Sequence, residues 1–176
     1  RDSSTSRGLG DVYKRQGFIL VNSSDNFDKK IIIEESPPSS VYSELSKDDS
    51  SYLIDVRTKP EWNFVGYPYI KNMKKDVIFC EWAFYPLMQK NPHFEDEILS
   101  KLNLDSCTKL YFICRSGSRS LYAAYSIQTL LNQQQNLKKS IKCINVKYGF
   151  EGDLSEDKRR GFSNGWKFSG LPWKQS

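Results

Sequence analysis

Residues 109–124 read KLYFICRSGSRSLYAA: an apolar run, a cysteine, a short loop with Gly117 and two arginines, then the opening of a helical pattern. A strand that runs through such a loop into a helix points the unpaired N–H groups of the helix's first turn back at the loop. Cys114 stands where those groups converge. A cysteine is nucleophilic as the thiolate, and the helix dipole with Arg115 and Arg119 is expected to lower the thiol pKa from its free value of about 8.5. Gly117 is free to take positive φ, which lets successive amides turn inward around one anion. Ser116, Ser118 and Ser120 add hydroxyl donors.

Outward from this stretch, short apolar runs alternate with helical patterns. Strands are expected at 31–33, 53–56, 77–79, 110–113 and 141–146, runs rich in β-branched and aromatic residues that suit burial on both faces. A helix is expected at 38–45 after Ser36, with Pro37 or Pro38 in its first turn. A second, at 120–131, carries Leu121, Ala124, Tyr125, Gln128 and Leu131 along one stripe. Strands alternating with helices imply right-handed crossovers and a parallel sheet, with ligands bound at the strands' carboxyl ends.

The loop from Cys114 to Arg119 resembles the active-site loop of the rhodanese (sulfurtransferase) family, with Cys114 at the persulfide-forming position. Two further blocks carry the likeness. SYLIDVRTKPEWNFVG (51–66) is similar to the family's first buried strand, its Asp-Val-Arg signature at Asp55 to Arg57, and the glutamate-containing helix that follows; GFEGDLSEDKRRGFSNGWKFSGLPWKQ (149–175) is similar to the C-terminal segment of a bacterial single-domain branch. The resemblance implies a three-layer α/β/α fold around a central five-stranded parallel sheet. It also implies a double-displacement sulfur transfer from thiosulfate through a Cys114 persulfide, with no other cofactor, to cyanide, a thiol or a protein. Arg115, and to a lesser degree Arg119, would hold the anionic donor; Arg119 is read chiefly as ordering the loop. The loop's arginines favour thiosulfate over 3-mercaptopyruvate. A rhodanese-like module used for binding or sulfur relay is the alternative.

Other chemistries find less support. Four residues separate Cys114 from Arg119, one fewer than in the related cysteine phosphatases, and position 120 is serine where the longer loop needs arginine. A cysteine hydrolase needs a base beside its nucleophile, and the sole histidine, His93, lies in NPHF within the long connection 80–104 and is read as a surface or loop-packing residue. The four cysteines, Cys80, Cys107, Cys114 and Cys143, show no CxxC pair, so no metal site is expected, and their irregular spacing reads as reduced thiols. Asp55 reads as a structural carboxylate for Arg57 or nearby amides, and Glu61, four positions after Arg57, would support that arginine if the stretch between them is helical.

Residues 1–16, RDSSTSRGLGDVYKRQ, have no apolar periodicity and resemble translated adapter sequence; a basic disordered arm is the other reading. Setting them aside leaves one domain, 17–176, and lowers the net charge from +5 to +3, too mild to argue for nucleic acid. No apolar run approaches the roughly 20 residues of a membrane span, and no export signal is seen, so a cytoplasmic location is expected. The aromatic connection 80–104 is read as an insertion whose Trp82, Phe84 and Tyr85 pack under the sheet edge, with a cover over the Cys114 pocket as the functional alternative. Trp166 and Trp173 are read as capping the core, or else as a docking face. Cys80 is read as a buried inert thiol, with a persulfide-resolving role or a regulatory disulfide as the lesser alternative.

Overall fold

The computed structural model describes residues 13–15, 18–20, 31–70, 75–134 and 139–175. Along the chain the elements are β1 (Tyr13–Arg15), β2 (Phe18–Leu20), β3 (Ile32–Ser36), α1 (Pro38–Leu45), β4 (Ser51–Asp55), α2 (Lys59–Val65), β5 (Tyr67–Pro68) and β6 (Ile78–Phe79). They continue with β7 (Ala83–Phe84), β8 (Gln89–Lys90), α3 (Phe94–Ser100), β9 (Lys109–Ile113), α4 (Ser118–Gln133), β10 (Lys142–Val146), α5 (Gly165–Phe168) and β11 (Trp173–Lys174). Five strands run parallel in the order β3-β10-β9-β4-β6, and the antiparallel pair β1-β2 extends the sheet beside β3. Apart from Tyr13–Arg15, the N-terminal extension read from the sequence lies outside the described residues.

Strand β9 sits mid-sheet and sends alternate side chains to opposite faces. Leu110 and Phe112 join Leu121, Ala123, Ala124, Ile127, Phe94 and Ile98 in a core beneath α4 and α3. Tyr111 and Ile113 join Val41, Leu45, Phe150 and Trp166 in a second core beneath α1 and the C-terminal segment. Two cores on one sheet make the three-layer arrangement.

The buried stripe of α4 is turned from the expected one. Ala123 and Ile127 are buried with Leu121, Ala124 and Leu131, whereas Tyr125 and Gln128 are half-buried. Gln128 nevertheless joins α4 to β10, because its Oε1 accepts the Cys143 N–H at 2.8 Å and its Nε2 donates to Ile141 O at 3.1 Å. Strand β3 also runs past its apolar start through Glu34 and Glu35, in register with Ile144 and Asn145. Glu34 is exposed and pairs with Lys142 at 3.5 Å, so ladder pairing carries a strand that hydrophobic runs alone miss.

The connection 80–104 divides in two. Trp82 packs edge-on against Phe94, ring centroids 4.9 Å apart, at the margin of the core beneath α4, as expected. Phe84 and Tyr85 do not pack under the sheet: both are exposed on a hairpin formed by β7 and β8, with Tyr85, Pro86, Leu87 and Met88 at its tip. The hairpin's base is tied down where Asn91 N–H meets Trp82 O at 2.9 Å and Lys90 meets Glu95 at 2.8 Å. A short antiparallel turn held only at its base leaves its tip side chains without core to cover them.

At the C-terminus Trp166 is fully buried, edge-on to Tyr42, with its Nε1 donating to Pro172 O at 2.8 Å. Trp173 is partly exposed on the β5-β11 ribbon beside Phe150, so one tryptophan closes the core and the other lies on the surface.

Candidate active site

Strand β9 ends at Ile113, and Cys114 follows at the carboxyl edge of the sheet. The loop from Arg115 to Gly117 turns directly into α4, whose N-cap is Gly117 at φ +100°. That left-handed backbone costs glycine little and aims the Gly117 N–H back at Cys114 Sγ, 3.2 Å away. Ser120, in the first turn of α4 and wholly buried, places its Oγ 3.2 Å from the same sulfur.

A second turn supports this one from behind. Phe150 N–H donates to Cys114 O at 2.7 Å, and the N–H groups of Glu151 and Gly152 donate to Arg115 O at 2.9 and 3.2 Å. Gly149 makes that approach possible: at φ +61° a Cβ there would stand 2.3 Å from Cys114 O. Phe150 in turn lies under the Arg57 guanidinium, 4.1 Å from ring centroid to Cζ.

Asp55 and Arg57 form a fully buried pair, as expected. Arg57 Nη2 donates to Asp55 Oδ2 at 2.7 Å and to Gly66 O at 2.8 Å, and Nε donates to Asp55 Oδ1 at 3.0 Å. With its carboxylate committed to Arg57, Asp55 has a structural environment.

Glu61 does not pair with Arg57. Arg57 precedes Thr58, the N-cap of α2, so it lies outside the helix and the four-residue spacing has no helical face to act on. Glu61 instead clamps Arg119 from both oxygens, Nη1 to Oε2 at 2.8 Å and Nη2 to Oε1 at 2.6 Å, and accepts the Thr58 N–H and hydroxyl at 2.9 Å each. Burial alone would raise the Glu61 pKa, but Arg119 and Thr58 outweigh it and hold the carboxyl at about 2. Burial likewise opposes the Arg119 charge, and Glu61 more than restores it. Arg119 therefore braces the loop against α2, the role that the sequence favoured.

Cys114, itself buried, lies at the base of a cleft of about 780 Å³. Its floor is Cys114, Arg115, Ser116, Ser118 and Arg119; one wall is Pro60, Phe64 and Val65 of α2, and the other is Tyr85, Pro86 and Met88 of the hairpin. Arg115 and Ser118 are exposed at the mouth. The hairpin thus reaches the Cys114 cleft, the place that the functional alternative gave its segment, as a wall beside it. Sequence reasoning held the hairpin's place at the cleft only as the lesser alternative and missed Asn145, which touches Ser120 from β10; glycines 149 and 152 in the C-terminal block were the visible sign of the supporting turn.

All four cysteines are free and buried. Cys80 donates to Glu97 Oε2 at 3.3 Å, and burial with that carboxylate pushes its thiol up to about 12, which fits the inert reading. Burial raises Cys107 to about 11 and Cys143 well above the ordinary range. His93 is exposed at the start of α3. Among the described residues no helix is long and apolar enough to cross a membrane.

The parallel order β3-β10-β9-β4-β6, with the Cys114 loop between β9 and α4, is the three-layer α/β arrangement that the resemblance in the sequence implies. No family model matches the sequence. The chain is 38% identical over 133 residues to the uncharacterized protein RC0915 of Rickettsia conorii (strain ATCC VR-613 / Malish 7), covering 76% of this chain and 90% of that one. It is also similar to the crystal structure of Rv0390 from M. tuberculosis, with a TM-score of 0.68 and 32% identity over 81% of this chain and 97% of that one. A rhodanese-like domain protein from Staphylococcus aureus aligns with a TM-score of 0.42 and 19% identity over 66% of this chain and 87% of that one. The chain belongs to the family that includes RC0915 and Rv0390.

Proposed function

We infer that the protein is a sulfurtransferase that takes sulfane sulfur from thiosulfate and passes it on through a persulfide on Cys114. The observation that carries this reading is Cys114 Sγ at the head of α4, with the Gly117 N–H and the Ser120 hydroxyl at 3.2 Å and a cleft opening above it. The Cys114 thiolate attacks the outer sulfur of thiosulfate; a new S–S bond forms, the bond to the sulfonate sulfur breaks, and sulfite leaves with the electron pair. Charge is conserved, because thiolate and thiosulfate become persulfide anion and sulfite. A nucleophile such as cyanide then takes the outer sulfur as thiocyanate and returns the thiolate.

Both steps bring anions together, and the floor offers the cations they need. Arg115, exposed at the mouth, meets the sulfonate oxygens; Arg119, fixed by Glu61, keeps positive charge beside the loop. No further cofactor enters the chemistry, and a cytoplasmic setting suits free thiols.

The acceptor is the open half of the reading. The cleft falls within the range of about 300–1,000 Å³ typical of organic ligands, and its outer wall is apolar and exposed, which favours a thiol-bearing molecule or protein as physiological acceptor over cyanide. A relay module loaded by a partner is the second reading, and the same wall supports it.

The test is intact mass of the reduced protein after thiosulfate and again after cyanide, beside Cys114→Ser. Gain of one sulfur that requires Cys114 and leaves as thiocyanate is the expected result. No gain would overturn direct use of thiosulfate and move the weight to the relay.

A further inference from the structure

Three acceptors surround the Ser120 hydroxyl, which has one proton to give. Its Oγ lies 2.6 Å from Asn145 Oδ1, 3.2 Å from Cys114 Sγ and 3.2 Å from Gly117 O. Asn145, wholly buried on β10, is held by its other end, where Nδ2 donates to Glu35 Oε1 at 3.1 Å. An ionised carboxylate only accepts, so Glu35 sets the amide with its oxygen toward Ser120. The shortest of the three contacts then receives the proton, and the Ser120 lone pair faces Cys114.

We propose that Asn145, held by Glu35, is a positioning residue that competes with Cys114 for the one hydroxyl proton of Ser120, and so makes the resting thiolate less well satisfied than the sulfur-loaded cysteine. The part about sulfur loading rests on the sulfurtransferase reading; the competition for the proton does not.

In the thiol form every group is paired: Sγ–H donates to Ser120 Oγ, and Ser120 donates to Asn145. When the thiol proton leaves to solvent, Ser120 has two choices. It keeps its bond to Asn145 and turns a lone pair on the negative sulfur, or it turns to the sulfur and strands a buried amide oxygen. Either arrangement lacks one hydrogen bond in an enclosed site. In the persulfide the negative charge moves to the outer sulfur, Sγ becomes a neutral disulfide-type atom, and Ser120 returns to Asn145. Loading thus removes the mismatch. The other charges around the sulfur are Arg119 with Glu61 clamped on it and Arg115 at the mouth, and substitution at Asn145 leaves all three in place.

The test reads thiolate ultraviolet absorbance, against a Cys114→Ser blank, at a fixed pH where the parent is mostly thiol. Asn145→Ala is expected to raise the thiolate fraction about threefold to tenfold, the worth of one enclosed hydrogen bond. In a Ser120→Ala background the same substitution is expected to change nothing, because the contested proton is gone. Glu35→Gln lets the amide turn over and serves if Asn145→Ala does not fold. Loss of the Glu35 charge also favours thiolate, but equally in both backgrounds, so the rise must be larger where Ser120 is present. An unchanged or lower thiolate fraction in Asn145→Ala, or an equal rise with and without Ser120, overturns the proposal.

Intact mass at a fixed thiosulfate-to-sulfite ratio reads the second half. A smaller persulfide fraction in Asn145→Ala than in the parent supports it, and an equal or larger one overturns the link to loading. If the absorbance result holds while neither protein takes up sulfur, the competition stands and the sulfurtransferase reading falls.

Discussion

On the floor of the cleft, Cys114, Arg119 and Glu61 each meet partners supplied by the protein, and the backbone carbonyls of Cys114 and Arg115 accept N–H groups from a second turn. On the walls, Phe64 is 79% exposed, Tyr85 65% and Met88 42%, with no core over them. Polar groups that are fully paired hold one geometry, whereas apolar side chains left in water gain by being covered. The floor therefore keeps one geometry, and the wall keeps apolar surface that a bound molecule would cover.

The sharpest way to break this contrast is at the sulfur. Cys114→Ser is expected to lose sulfur loading at least about a thousandfold while melting like the parent, as removal of a covalent nucleophile does. A persulfide mass gain in that variant would move the reaction elsewhere. Next is the supporting turn: Gly149→Ala must place a Cβ at φ +61° and 2.3 Å from Cys114 O, so a loss of about 2–4 kcal/mol in denaturant melts is expected.

Glu61→Gln weakens the clamp on Arg119 and should cost about 1–3 kcal/mol together with roughly a tenfold slower loading. Its pH signature has a definite sign. The Glu61 carboxyl is held at about 2 in the folded protein against an ordinary value of 4.5, so its contribution is complete above about pH 4.5 and is lost as pH falls toward 2. Acid titration of stability should therefore be flatter over that window in the glutamine variant. A parallel loss in both proteins would show that Glu61 is not the group responsible.

Arg115→Ala should raise the thiosulfate KM about tenfold with stability unchanged, since this side chain is exposed at the mouth. The smallest effect belongs to the wall. Met88→Ser is expected to move stability by less than about 0.5 kcal/mol, and Tyr85→Ser to raise KM for a bulky organic thiol more than for cyanide. Equal change for both acceptors would reduce the wall to scaffolding.

The sequence made the floor readable and gave the wall only as a second choice, for a physical reason. Strand, cysteine, glycine turn and helix start are adjacent in 109–124, and each is dictated by local preferences. The Asp55–Arg57 pair spans two positions and was likewise visible. Glu61 and Arg119 lie 58 positions apart, and Asn145 lies 25 from Ser120 and 110 from Glu35. Contacts of that range are set by sheet order, which local patterns do not specify. The hairpin defeated the reading differently: aromatic residues are ordinarily buried, and nothing in Phe84 or Tyr85 says that the turn carrying them lies beyond the core's reach.

The unequal fate of the four thiols has a practical side. Cys80, Cys107 and Cys143 are buried thiols shifted upward, whereas Cys114, buried as well, lines the cleft. A mild alkylating dye at neutral pH should therefore attach once per chain. Counting dye per folded molecule then amounts to counting competent sites, which gives any later rate a denominator without a substrate having to be named.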